Sequence, residues 1–256
     1  MSEHVAPTDP EETRVSSLCD GIDWVSRCHV NEEGVARGSH THISQYLVEA
    51  SEGNVLIDAG AGHGQELVGA LEEATGGEGL DTVLLTHAIL PHTGNVEVLR
   101  ENFGNPTFVS TSPIPPAIGV EDAQPTTIND TEIVEGDEFT FIDPLLTDVV
   151  VSTWIYHHDT KTMFTAEGIG HYHEDGSCSY LSSDYGDGIP KKGVHDFAAD
   201  KLMFMEYIDP EKLEIAFDTL RDEYDIERLA PIHGNPVEED EIDDYVSKLV
   251  EVAGEL

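Results

Sequence analysis

The chain has 256 residues, room for one large domain or two small ones, and sets 52 Asp and Glu against 12 Lys and Arg, a net charge of −40. That balance excludes binding to nucleic acid or to an anionic membrane surface, both of which need cationic patches, and a hydrophobic content of 39% argues against general disorder. Acidic residues run from Glu3 to Glu255 rather than gathering in a tail, as expected of a folded protein from a salt-loving, haloarchaeal-type source in which salt screens the self-repulsion.

Residues 1–12 read as a flexible terminus that lacks the apolar stretch of a secretion signal. No apolar run approaches the ~20 residues of a membrane span, so the expectation is a soluble, cytoplasmic protein. Alternation predicts strands at Gly21–His29 and Ile43–Glu49, and Asn54–Asp58 (N-V-L-I-D) reads as a short buried strand after the Ser51–Asn54 turn. Leu67, Val68 and Leu71 have helical spacing within Gln65–Ala74. A strand at Thr82–Thr86, a helix at Val96–Asn102 and a strand at Thr107–Ser110 follow. The middle is β-rich, with strands predicted at Thr126–Ile128, Glu132–Val134, Glu138–Ile142, Val149–Tyr156 and Thr162–Thr165. The last two flank H-H-D-T-K, a hairpin turn in which His157 and His158 are expected to be solvated. Helices return at Val194–Tyr207 and Pro210–Tyr224, the second capped by Asp209 with Pro210 at its first position. Leu229–Ile232 reads as a last strand and Glu238–Val252 as a last helix. Two β-then-α halves predict an α/β protein with two sheets face to face and helices outside, an αββα sandwich. With no linker-like shift in composition, residues 13–256 read as a single domain.

Four segments carry candidate chemistry. Val55–Gly64 (V-L-I-D-A-G-A-G-H-G) puts a Gly-rich turn after a strand, which could cradle a phosphate or S-adenosylmethionine; Gln65 stands where a dinucleotide fingerprint wants its third Gly. The competing reading is a strand ending in Asp58, whose carboxylate braces neighbouring loops. Thr86–Asn95 (T-H-A-I-L-P-H-T-G-N) places His87 and His92 after a strand, although two histidines five apart recur incidentally. Thr162–His171 (T-M-F-T-A-E-G-I-G-H) ends a strand near Glu167, and Leu229–Pro236 (L-A-P-I-H-G-N-P) ends one near His233, with Asn235-Pro236 read as the cap of the next helix. The cysteines, Cys19, Cys28 and Cys178, are odd in number and include no C-x-x-C, so ordinary thiols in a reducing cytosol are expected rather than disulfides or a zinc knuckle. Trp24 and Trp154 read as core residues.

Between residues 40 and 240, the last three segments, in this order, resemble the metallo-β-lactamase fold superfamily. The similarity is greatest to the β-lactamase-like domain of flavodiiron and oxygen-binding diiron proteins. Thr86–Asn95 resembles the superfamily motif T-H-x-H-x-D-H-x-G-N, Thr162–His171 resembles L-F-S-x-D-x-F-G-x-H with Glu167 in place of the bridging Asp, and Leu229–Pro236 resembles A-P-x-H-G. The resemblance implies the αββα fold and a di-metal site that reduces dioxygen or nitric oxide, or senses dioxygen. Relatives elsewhere in the superfamily hydrolyse esters, lactams and thioesters.

The departures limit what carries over. For the first metal the family's ligands fall on His87, Ile89, a position near Thr147, and Glu167; for the second they fall on Pro91, His92, Glu167 and His233. Ile89 and Pro91 cannot bind a metal. What remains is two imidazoles and a carboxylate, a facial triad suited to one iron or one zinc ion. The expected site is therefore a single ion on His92, Glu167 and His233, with His87 as base, hydrogen-bond donor or fourth ligand and Asp58 behind. A metal-free polar pocket is the competing reading. His40, His42, His63, His157, His158, His171, His173 and Cys178 are the other residues that could substitute as ligands or line the pocket. The chain ends soon after His233, so no flavin domain is expected in it, and oxygen reduction would need a separate redox partner. Three functions follow: a redox or dioxygen-binding protein, a one-zinc hydrolase of small esters or thioesters, and a metal-free binding or regulatory module. In each the ligand is a small molecule. Head-to-tail pairing in the family implies a homodimer.

Overall fold

A computed structural model of the protein describes residues 12–32, 34–111, 120, 122–148 and 152–256. The first sheet starts as an antiparallel meander of β1 (Thr13–Cys19), β2 (Ile22–Val30), β3 (His40–Ala50) and β4 (Gly53–Ile57). It continues in parallel through β5 (Thr82–Leu85), β6 (Thr107–Ser110) and β7 (Gln124–Pro125), so its strand order is the chain order. Each parallel step needs a crossover. Helix α1 (Gly64–Ala74) makes the first, and α2 (Leu90–Thr93) with α3 (Val96–Asn102) the second. The second sheet comprises β8 (Thr131–Val134), β9 (Asp137–Ile142), β10 (Trp154–His157), β11 (Thr162–Ala166), β12 (Arg228–Pro231) and β13 (Val237–Glu238). It is ordered β13-β12-β11-β10-β9-β8, with β11 and β12 parallel. Helices α4 (Lys191–Lys201), α5 (Pro210–Glu223) and α6 (Glu239–Glu255) complete the chain.

The period-2 alternation of the strands sorts side chains into three apolar layers. Between the sheets lie Trp24, Tyr46, Val55, Ile57 and Leu84 from the first, and Phe139, Phe141, Ile155, Phe164 and Ala230 from the second. The alternate residues Leu56, Val83 and Leu85 face outward onto Leu67 and Leu71 of α1 and Leu99 of α3. On the far side Trp154, Tyr156 and Met163 meet Phe197, Leu213, Phe217, Tyr245 and Leu249 from the last three helices. The order is therefore helix, sheet, sheet, helix, the αββα sandwich that the periodicity predicts.

Several elements differ from expectation. Strand β1 goes unpredicted because its residues, T-R-V-S-S-L-C, are mostly half-buried and show little contrast between faces. The parallel bridge to β6 falls at Gln124–Pro125 rather than at 126–128. Helix α4 starts earlier, at Lys191, and stops at Lys201; the rest of the expected helix is a separate 3-10 turn over Met203–Tyr207. The cap of α6 is Glu238, not Asn235-Pro236, because β13 intervenes. His157 is not solvated: it ends β10, is 1% exposed, stacks on Phe139 and pairs with Asp137 at 3.2 Å. Of the expected terminus, residues 1–11 lie outside the described residues, as do 149–151 of the strand expected at 149–156.

Candidate metal centre

Four strands end at one rim of the sandwich. β4 and β5 run parallel in one sheet, β11 and β12 in the other, and the residue runs just past their ends hold Asp58, His87, Glu167 and His233. Such carboxyl-terminal edges collect functional side chains in α/β folds because the loops there are freed from the ladder. Backbone bonds close the rim between sheets, Ser44 N to Ile232 O (3.0 Å) and Thr153 N to Thr86 O (2.8 Å). Two turns here carry strain. Asp58 (φ 63) and Ala166 (φ 47) both sit in the left-handed region that side chains disfavour. Ala166 turns the chain out of β11 one residue before Glu167.

His92, Glu167 and His233 come together. Glu167 Oε1 lies 3.1 Å from His92 Nε2, and Oε2 lies 3.1 Å from His233 Nε2. All three are buried. The far nitrogen of each ring is anchored: His92 Nδ1 donates to Asp58 Oδ2 (2.9 Å) and His233 Nδ1 donates to the His42 carbonyl (2.6 Å). Asp58 is itself fixed, accepting from Thr86 N (2.8 Å) and Thr86 Oγ1 (2.6 Å). With Nδ1 protonated on both rings, the neutral form aims each Nε2 lone pair at a carboxylate oxygen. Lone pair against anion at that distance needs a cation between them, either a proton or a metal ion. This orientation of imidazole by carboxylate or carbonyl is also how metal-binding histidines are held.

The charges follow. Burial works against a charged His92, but the Asp58 carboxylate and the hydrogen bonds to Asp58 and Glu167 outweigh it and raise its pKa to about 9. Burial likewise opposes ionisation of Glu167, yet His233 and His92 hold its carboxyl well below the usual range.

His87 stands beside this group, its ring 5.1 Å from that of His92. The Ala88 amide donates to His87 Nδ1 (2.8 Å), so the neutral ring carries its proton on Nε2. That atom lies 3.6 Å from Asp148 Oδ1, outside hydrogen-bond range, and both atoms are buried without a hydrogen-bond partner. Asp148 adjoins Thr147, the neighbourhood to which the resemblance points, and nothing in the sequence marks the carboxylate itself.

The remaining histidines sort differently. His63 is paired with Glu66 on the surface (3.5 Å). His42 is wholly buried, which pushes its pKa down to about 3, and stacks on His173 at 4.5 Å between ring centres. His171 lies 3.1 Å from Asn235 Oδ1, and burial lowers its pKa to about 4. His40 and His173 join Cys28 and Cys178 in a separate buried group whose donor atoms all lie within 4.8 Å of one another. The expectation of ordinary separate thiols does not anticipate this grouping, since the four residues fall in two distant pairs. Clefts of about 370 and 400 Å3 lie elsewhere, at Ser17–Asp23 with Thr75 and at Val35–Ser39 with Tyr172, and none of the strand-end residues lines them.

The family described as the Metallo-beta-lactamase superfamily matches residues 40–185. No curated protein matches the sequence. Among solved structures, a variant of the flavo di-iron protein from Thermotoga maritima superposes with a TM-score of 0.76 at 15% identity, covering 96% of this chain and 62% of that one. The rubredoxin oxygen:oxidoreductase from Desulfovibrio gigas gives 0.74 at 19% identity, covering 94% and 62%. This chain thus spans 62% of the length of each. A fragment of a putative diflavin flavoprotein from Nostoc gives 0.72 at 15% identity, covering 96% and 97%. At such identities the likeness is one of fold.

Proposed function

Because this chain belongs to the metallo-β-lactamase superfamily, we propose that it holds one divalent metal ion on His92, Glu167 and His233 and uses it to bind dioxygen. The observation that carries the reading is the Glu167 carboxylate set between two Nε2 atoms whose rings are both locked through Nδ1. Two imidazoles and one carboxylate make a facial set with open positions, the ligand chemistry of mononuclear iron and of open-site zinc. When bound, iron there supplies sites for dioxygen, and zinc supplies Lewis acidity toward water.

The chain's own residues do the rest. Asp58 and Thr86 hold His92 in the tautomer that leaves Nε2 free, and the His42 carbonyl does the same for His233. His87 presents an Nε2 proton next to the ligand set, with the Asp148 carboxylate 3.6 Å from that nitrogen. Burial of the group keeps bulk water away and suits a small ligand better than a bulky ester. The Desulfovibrio neighbour is named for rubredoxin and oxygen; oxygen reduction here would likewise draw electrons from a separate donor. A one-zinc hydrolase is the second reading, favoured by the His87–Asp148 pair, which could hold and return a proton for an attacking water.

Elemental analysis of protein purified in high salt without chelator tests the proposal. One ion that disappears in His92→Ala and in His233→Ala supports the site, and iron rather than zinc supports the dioxygen reading. An ion content equal in wild type and both variants overturns it.

A further inference from the structure

We propose that Cys28, His40, His173 and Cys178 form a second metal site, a structural one that takes zinc(II). It shares no residue with the strand-end group. All four side chains are buried, and the donors converge: His40 Nδ1 lies 3.4 Å from Cys28 Sγ and 3.3 Å from Cys178 Sγ, and His173 Nε2 lies 3.5 Å from Cys28 Sγ. Zinc bonds of ~2.3 Å to sulfur and ~2.0–2.1 Å to nitrogen place sulfur and nitrogen roughly 3.5 Å apart on a tetrahedron's edge. Three of the four donor distances match. The fourth, between the sulfurs, is 2.7 Å and opens by about 1 Å to the tetrahedral value when the ion enters. Both thiols are free. Two thiolates neutralise a divalent ion, and four protein donors leave no open position, which is the pattern of a structural rather than a catalytic zinc. Magnesium and calcium are excluded by the absence of oxygen donors.

The backbone sets the ligands up in pairs. In the β2–β3 ladder Cys28 faces His42 and Val30 faces His40, so Cys28 and His40 share the inner face on a diagonal. His40 and His173 exchange two backbone bonds, His40 N to His173 O (2.7 Å) and His173 N to His40 O (3.0 Å). Cys178 follows five residues later, after the Asp175-Gly176 turn.

The position explains what the ion would do. Between the end of β11 and the start of α4 the chain has one isolated bridge and one 3-10 turn as regular structure, yet Tyr172, His173, Cys178 and Ser182 are buried. A buried irregular segment needs anchors. Zinc would pin it to β2 and β3. The same segment reaches the strand ends: Asn235 Nδ2 donates to Ser177 O (2.9 Å) and Tyr180 O (2.7 Å), and His42, stacked on His173, offers its carbonyl to His233. The site would act as a staple for the frame that orients His233.

The test compares zinc content in the wild type, the Cys28→Ser/Cys178→Ser pair and the His92→Ala/His233→Ala pair, each dialysed against zinc and then against buffer. One equivalent retained in the histidine pair and lost in the cysteine pair is expected. Cobalt(II) loaded into the wild type adds a readout that no variant must fold to give: an intense thiolate-to-cobalt charge-transfer band and a tetrahedral d–d spectrum. Equal zinc in the cysteine pair and the wild type overturns the proposal, as does cobalt-loaded wild type without the thiolate band. So does an intact mass two hydrogens light that reductant restores, which would identify a Cys28–Cys178 disulfide. Loss of metal only in the histidine pair would overturn this site and leave the strand-end one standing.

Discussion

Replacing Asp58 by Asn should abolish a pH dependence that the wild type carries in its metal-free state. His92 has a pKa of about 9 in the folded protein against an ordinary value of 6.5, so folding favours its protonated form. That stabilisation is present in full below pH 6.5 and is lost as pH rises through 9. The whole span is on the order of 3 kcal/mol, since a tenfold change in proton affinity is about 1.4 kcal/mol. For a chain of this size it corresponds to a fall in melting temperature of roughly 6–12 °C. Asp58 is the leading stabiliser of the imidazolium, and Asn keeps the shape while removing the charge. Burial then dominates, the ring stays neutral, and the fall with pH disappears. The assay is thermal unfolding by circular dichroism from pH 6 to 9.5 in high salt with chelator, comparing slopes; groups common to both proteins cancel. Parallel slopes, or a wild-type curve flat over that range, would refute the reasoning. With metal present the sign reverses, because the ion displaces the Nε2 proton and its affinity rises with pH.

Gly234 has φ +102, and a Cβ there would stand 2.7 Å from His171 Nδ1. Gly234→Ala should cost about 1–3 kcal/mol in urea unfolding and lower the metal content of the strand-end site, because the displaced backbone carries His233. Phe164, 1% exposed between the sheets, should cost about 3–5 kcal/mol when cut to Ala, read from the same denaturation curves with an unchanged m-value. With a net charge of −40, the melting temperature should climb when KCl goes from about 0.1 to about 1 M, where the screening length drops from ~10 to ~3 Å; a flat profile would dispose of the salt-loving reading.

What the sequence discloses depends on how local the signal is. The β4–α1–β5 segment is legible because a buried strand, a Gly-rich turn and a helical stripe each declare themselves within ten residues. His92, Glu167 and His233 are legible as candidates only through motif order, since each ends a strand or opens a loop in a short recognisable string. Asp148 escapes because its loop carries no pattern to set the register. Cys28 and Cys178 lie 150 positions apart, and each has its histidine partner at a spacing too loose to read; only the pairing of β2 with β3 and the bridge from His40 to His173 brings them together. His157 misleads for the converse reason: a histidine in a turn-like string is ordinarily solvated, but here Phe139 and Asp137 cover it.

The strand-end group makes poor sense as a device for stability. Burying Asp58, His92, Glu167 and His233 takes two carboxylates and two imidazoles out of water, and well-packed apolar residues of similar volume are often neutral or stabilising in such places. The left-handed turns at Asp58 and Ala166 add strain rather than relieve it. Every contact in the group nonetheless acts in one sense: Thr86 fixes Asp58, Asp58 fixes His92, the His42 carbonyl fixes His233, and both rings present Nε2 to the same carboxylate. Orientation so fully determined is redundant for folding, and it is what a facial ligand set requires, because metal affinity depends on donors being held in place before the ion arrives. Ile89 and Pro91 remove donors from the flank of this set without touching that chain of supports. The supports that fix His92 and His233 are thus intact where Ile89 and Pro91 have taken donors away, which is the arrangement the proposed single-ion site needs.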